Sequence, residues 1–231
     1  MTAALEIDGL RFDVRRSPRR KTVGVTVDRC GELLVDAPAE MPKRSIESAV
    51  RARLLWVHAK LARKRQLLHE REESRYVPGE GHLYLGRKHR LLLVDGVRDE
   101  SLRLAQGRFE FARRERGRGG EVFREWYVAR GREWLPRRVE EVAPVVGAHP
   151  KRVEIRDLGY RWGSCSRGIV YFHWQVMQLP PGLIEYVVAH ELCHLKYKDH
   201  SADFWQLLRL VMPNYEVRKE NLRRDGWRYV L

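Results

Sequence analysis

From His190 to His200 the chain reads His-Glu-Leu-Cys-His-Leu-Lys-Tyr-Lys-Asp-His, and few folds can use that order of residues. On a helix, residues four apart lie one turn apart on the same face, so His190 and His194 aim their imidazoles at one point. His200 falls beyond a simple continuation of that helix, and a turn through Lys198-Asp199 brings it back as a third nitrogen donor. Three protein ligands with an open fourth position is the arrangement of catalytic zinc, whereas structural zinc is closed by four ligands, commonly including cysteines. Glu191, beside the metal face, supplies a base for a zinc-activated water and then an acid for a leaving amine. At this chain's own His and Glu content, chance produces the pattern in roughly one sequence in a thousand.

The flanks suit the motif. Val187, Val188, Leu192 and Leu195 make an apolar helical stripe, and Pro180-Pro181 marks the helix start. Ser201 stands where it would cap a following helix, whose apolar residues Phe204, Trp205, Leu208, Val211 and Met212 run to Pro213. That helix fixes His200 just ahead of it. A downstream carboxylate, Glu216 or Glu220 on a final helix over 214–224, is the alternative third ligand. Cys193 points about 100° away from both helical histidines, which makes it a packing residue.

Composition bounds the rest. A chain of 231 residues with 43% hydrophobic content can bury one good core, or one core and a smaller module. No apolar run is long enough to span a bilayer, and the start lacks a basic segment followed by a hydrophobic one, so a cytoplasmic protein is expected. The cysteines Cys30, Cys165 and Cys193 are odd in number and widely spaced, which suggests reduced thiols rather than a disulfide framework. The formal charge is +14, and residues 1–120 carry 27 basic against 17 acidic side chains. That excess suits nucleic acid or an acidic protein, and equally an Arg-rich solvated surface; no nucleic-acid-binding motif accompanies it.

In chain order, residues 5–37 read as short strands, with turns at Asp8-Gly9 and Asp28–Gly31. The basic run Arg15–Lys21 lies between strands as an exposed turn. Ile46, Val50, Leu54, Val57 and Leu61 predict one helix over about 43–70. A second β region covers Leu83–Leu85, Arg90–Val94 with a turn at Asp95-Gly96, Ser101–Ala105, and Arg108–Phe111 after Gln106-Gly107. Arg113–Gly120 has no apolar periodicity and three glycines, so it reads as a linker, dividing the chain into 1–118 and 119–231. A helix over 121–141, ended by Pro144, precedes a hairpin of Val153–Leu158 and Ile169–Val176. Alternation puts Tyr171, His173 and Gln175 on the face toward a cleft. Ile169–Val176, beside the metal helix, is the expected edge strand for an extended substrate.

Arg161-Trp-Gly-Ser-Cys-Ser166, Trp174, the run from His190 to Leu195 and His200-Ser-Ala-Asp-Phe-Trp205 together resemble the YgjP-like family of zinc metallopeptidases, relatives of SprT-like proteases. Arg16-Ser-Pro-Arg-Arg-Lys-Thr-Val23 and Tyr84-Leu-Gly-Arg87 extend the likeness over nearly the whole chain. The resemblance implies an α+β protein with a zincin-type core: a small mixed or antiparallel sheet and an active-site helix, preceded here by a β-rich region with a long helix. It also implies Zn²⁺ on His190, His194 and His200, with Glu191 as the catalytic base. One departure is His173, where members of the family often carry Asn.

The expected function is therefore zinc-dependent hydrolysis of peptide bonds in a peptide or protein substrate, with Arg161 and His173 as candidates for contacting substrate or oxyanion. A framework role competes for both residues. Two other readings stand beside it: a nucleic-acid-associated zinc protein using the basic N-terminal region, and a zinc-stabilised scaffold. No membrane partner is expected.

Overall fold

The computed structural model describes residues 3–27, 33–69, 74–95, 100–159, 161–198 and 200–229. The expected turns at Asp28–Gly31, Asp95-Gly96 and Lys198-Asp199 fall wholly or partly outside them. The protein is a mixed α+β structure that divides into two compact units, Met1–Glu73 and Ser74–Leu231.

The first unit holds β1 (Ala3–Ile7), β2 (Leu10–Ser17), β3 (Gly24–Val27), β4 (Leu33–Pro38), α1 (Lys43–Arg51) and α2 (Leu54–His69). Its sheet has the order β1-β2-β4-β3, with β2 and β4 parallel and the outer pairs antiparallel. Phe12, Val35, Ile46, Val50 and Val57 fill its core, where the alternation of the strands meets the three-four spacing of the helices. The expected single helix is two, because the chain turns at Ala52-Arg53. Part of the basic run is structural: Arg16 donates to the carbonyls of Ala39 and Met41, and Arg20 pairs with Asp36 at 3.2 Å.

The second unit begins with β5 (Gly81–Tyr84), β6 (Arg87–Val94), β7 (Leu102–Ala105) and β8 (Arg108–Ala112). Their order, β5-β6-β8-β7, again has a parallel central pair between antiparallel ones. The topology of the first sheet is thus repeated. Leu85-Gly86 and Gln106-Gly107 close the two hairpins with positive φ at both residues, the geometry that two-residue hairpin turns prefer.

The linker expected at 113–120 is instead a 3-10 turn over Arg113–Arg118 running directly into α3 (Gly119–Val146). The glycine there serves close approach rather than flexibility. A Cβ on Gly119 would come within 2.3 Å of the Tyr76 ring, so the helix seats against the segment that opens the unit. Phe109 and Phe111 from β8 meet Phe123 and Trp126 from α3 edge-on or tilted, with ring centres 4.9 to 5.9 Å apart. The boundary at 118/119 therefore crosses a continuous core, and the division falls near residue 73. Pro144 lies inside α3 rather than ending it, and Gly147 in the left-handed region stops the helix, its N–H bonding Ala143 O at 2.9 Å.

His82 is sealed in this core at 1% exposure. It stacks on Phe123 at 4.2 Å, and neither ring nitrogen has a hydrogen-bond partner. Burial pushes its pKa down to about 4, so between about 4 and the unfolded value near 6.5 the unfolded chain binds more protons than the folded one. Stability therefore falls as pH drops through that window, by about 2 kcal/mol at pH 5. Urea melts of wild type and His82→Phe at pH 7 and pH 5 check this: the acid-induced loss shrinks in the variant, and equal losses would contradict the assignment.

Beyond α3 come β9 (Arg152–Arg156), β10 (Gly163–Ser166), β11 (Ile169–His173), α4 (Pro181–Cys193), α5 (Ala202–Val211) and α6 (Tyr215–Asp225). The three strands form a sheet of order β10-β11-β9. Glu185 on α4 ties three helices together, taking Arg138 of α3 on one oxygen at 2.5 Å and Arg218 of α6 on the other at 2.9 Å. No helix among the described residues is long and apolar enough to cross a membrane.

Candidate metal centre

α4 opens with Pro181 at its first turn, where a missing N–H costs nothing. It then buries Leu183, Ile184, Val187, Val188 and Leu192. The β5–β6 turn buttresses its start: Leu85 and Gly86 donate to the carbonyls of Met177 and Gln178, and a Cβ on Gly86 would come 2.8 Å from Pro180 Cα. The helix ends at Cys193, with His194 as its C-cap. Ending there frees the chain to turn and return His200 to the same place.

The ligand atoms of His190, His194 and His200 lie within 4.8 Å of one another. His190 Nε2 and His200 Nε2 face each other at 3.0 Å. His194 Nδ1 is 2.9 Å from Tyr197 O, which places the ring's proton on Nδ1 and leaves Nε2 as the donor. Burial, with the charges of His194, His200 and Lys219, pushes His190 down to about 3, so its imidazole is neutral near pH 7. A metal ligand must be in that form.

Phe204 holds the three rings together, a role the sequence reading gave only as apolar helix packing. Wholly buried on α5, it contacts His194 at 4.6 Å, His200 at 4.8 Å and His190 at 5.0 Å between ring centres. His200 also stacks on Trp205 at 5.3 Å. Ser201 occupies the N-cap position of α5 but makes no side-chain cap bond. The alternative carboxylates are engaged elsewhere: Glu216 accepts from Arg209 at 2.6 Å and from Tyr215 OH at 3.1 Å, and Glu220 accepts from Arg223. Cys193 is fully buried and stands outside the histidine group.

Glu191 is 6% exposed and lies against β10. A Cβ on Gly163 would come 2.5 Å from Glu191 Cγ and 2.6 Å from Oε1, so the absence of a side chain at 163 makes room for the carboxylate. Sequence reading missed Gly163, although a glycine inside a strand pattern signals a close approach. Burial pushes the Glu191 carboxyl up to about 8, with the charge of Arg161 opposing. A divalent cation alongside favours the ionised form in the same way.

Arg161 is exposed at the entry to β10. His173 is not on the cleft face. It is 3% exposed, with Nε2 3.3 Å from Asp157 Oδ1 and Nδ1 accepting the Gln175 N–H. It caps a 3-10 turn over Trp174–Gln178, which is why β11 stops at His173 and the alternation expected to Val176 breaks there. A capping acceptor is also what an Asn at this position would supply. The expected substrate edge is corrected too: β11 is paired on both sides, antiparallel to β10 and parallel to β9. The edge beside Glu191 is β10.

Three convergent imidazoles with a buried carboxylate alongside form a donor set for a divalent metal. The chain belongs to the YgjP-like metallopeptidase family: the family model for the YgjP-like metallopeptidase domain matches residues 21–225. No curated protein matches it. Among solved structures it is similar to the metallopeptidase zymogen of Pyrococcus abyssi abylysin, at 28% identity and a TM-score of 0.36, over 39% of this chain and 90% of that one.

Proposed function

We propose that the protein is a zinc-dependent endopeptidase in which His190, His194 and His200 hold the metal and Glu191 is the general acid/base. The observation that carries this reading is the convergence of three imidazole donors within 4.8 Å, with Glu191 the next residue after the first of them. A bound Zn²⁺ supplies Lewis acidity, polarising a carbonyl and acidifying water.

The chain's own groups supply the remainder. Glu191 takes a proton from the attacking water and passes it to the amine that leaves; an elevated pKa suits the second of these steps. Burial and the close approach of β10 at Gly163 hold that carboxylate in one place, which keeps the proton acceptor in line without reorganisation. Arg161, whose charge acts on Glu191, is a candidate to stabilise a developing oxyanion. An extended peptide adds to the edge of β10, where backbone pairing orients the scissile bond. His173, sealed and bonded to Asp157, has a framework role only.

Metal analysis of His200→Ala and Glu216→Ala tests the donor set. The account expects His200→Ala to lower zinc affinity by at least about 10-fold, and Glu216→Ala to bind zinc like the wild type. Undiminished zinc in His200→Ala would remove that residue from the site.

A further inference from the structure

The four basic residues of α6 are Arg218, Lys219, Arg223 and Arg224. Three of them are neutralised: Arg218 by Glu185 at 2.9 Å, Arg223 by Glu220 at 2.5 Å and Arg224 by Asp225 at 2.7 Å. Glu216, one turn before Lys219, is committed to Arg209 at 2.6 Å. Lys219 is the exception. Among the described residues it has no carboxylate partner, and its Nζ lies over the Trp205 ring, 4.0 Å from the centroid.

That ring leads directly to the metal centre. Trp205 stacks on His200 at 5.3 Å with 20° between the planes, and on its other contact it stacks on Tyr215 at 5.6 Å and 21°. Two short steps, 4.0 and 5.3 Å, separate the ammonium from the third metal-ligand ring. A lysine held by cation–π attraction has a fixed position without losing its charge. It therefore presents a positive charge at the rim of the histidine cluster, while Glu216, the acid one turn before it, is engaged by Arg209.

We propose that Lys219 is a substrate-binding residue that gives the site a preference for a carboxylate close to the scissile bond. The inference rests on the peptidase reading. The carboxylate comes from an Asp or Glu side chain or from the peptide's own C-terminus, and both offer the same anionic oxygens to one ammonium. An ammonium on a flexible stem selects charge rather than bidentate shape, so Asp and Glu are accepted alike. The preference weakens with salt.

The test uses full-length, zinc-loaded Glu191→Gln, which binds peptides without consuming them, and three fluorescent peptides of one length. One is neutral and amidated, one carries an internal Asp and is amidated, and one is neutral with a free C-terminus. At low salt a carboxylate is expected to tighten binding by about fivefold. The arm that tightens identifies its source. Adding Lys219→Met abolishes the preference, and adding Lys219→Glu turns it toward a Lys-containing peptide. Equal binding of all three peptides, or a preference that survives Lys219→Met, overturns the proposal. Wild-type hydrolysis of the same peptides separates the two levels: cleavage without carboxylate preference defeats only the role of Lys219, while absence of both binding and cleavage defeats the peptidase reading with it.

Discussion

Glu191→Gln is expected to lower kcat/KM for peptide hydrolysis by about 10²- to 10⁴-fold, the range for loss of a positioned general acid/base. Bound zinc should stay at the wild-type level, because Glu191 stands outside the histidine group. Gln has nearly the same shape and fills the same space against Gly163. Stability should hold or rise, since burial already disfavours the ionised carboxyl and a neutral amide escapes that penalty. Loss of activity with an unchanged or higher melting temperature separates a chemical role from a packing one. A variant that loses activity and zinc together would instead place Glu191 in the structure of the centre.

Gly163→Ala is the second large effect, and no chemical group is removed. Gly163 is not in the left-handed region, so its backbone accepts alanine without strain. The new methyl, however, would sit 2.5 to 2.7 Å from Cγ, Oε1 and Cδ of Glu191. Contacts that short cannot persist, and the carboxylate, at the far end of its side chain, is what moves. A shift on the order of 1 Å costs a reaction about 10²-fold, so kcat/KM should fall by about that factor while zinc content is retained. Kinetics and metal analysis on one preparation check this, and wild-type rates in the alanine variant would show that Glu191 needs no such clearance.

The convergence of the three histidines was legible in the sequence because it is local. A helical period brings His190 and His194 together, and a turn of a few residues returns His200. The two-residue turns Asp8-Gly9 and Gln106-Gly107 were legible for the same reason. What depended on distant partners was not. Glycines at 117–120 looked like a linker, yet Gly119 is there for the Tyr76 ring, 43 positions earlier in the chain. Ile169–Val176 looked like an edge because it stands beside the metal helix, but β10 pairs antiparallel to β11 on one side, and β9, expected as its hairpin partner, pairs parallel on the other. His173 alternated onto the cleft face until its ring capped a 3-10 turn. Lys219 stands out only once α6 is folded and each arginine on it has found its acid.

Titration of metal-depleted protein with Zn²⁺, following bound zinc and hydrolysis of a peptide library together, tests the central claim most directly. The account predicts that hydrolysis rises in proportion to occupancy and saturates at a single zinc ion per chain. Glu191→Gln taken through the same titration should bind as much zinc and release almost no product. Hydrolysis by metal-depleted protein, or equal rates for wild type and Glu191→Gln at full occupancy, would contradict it.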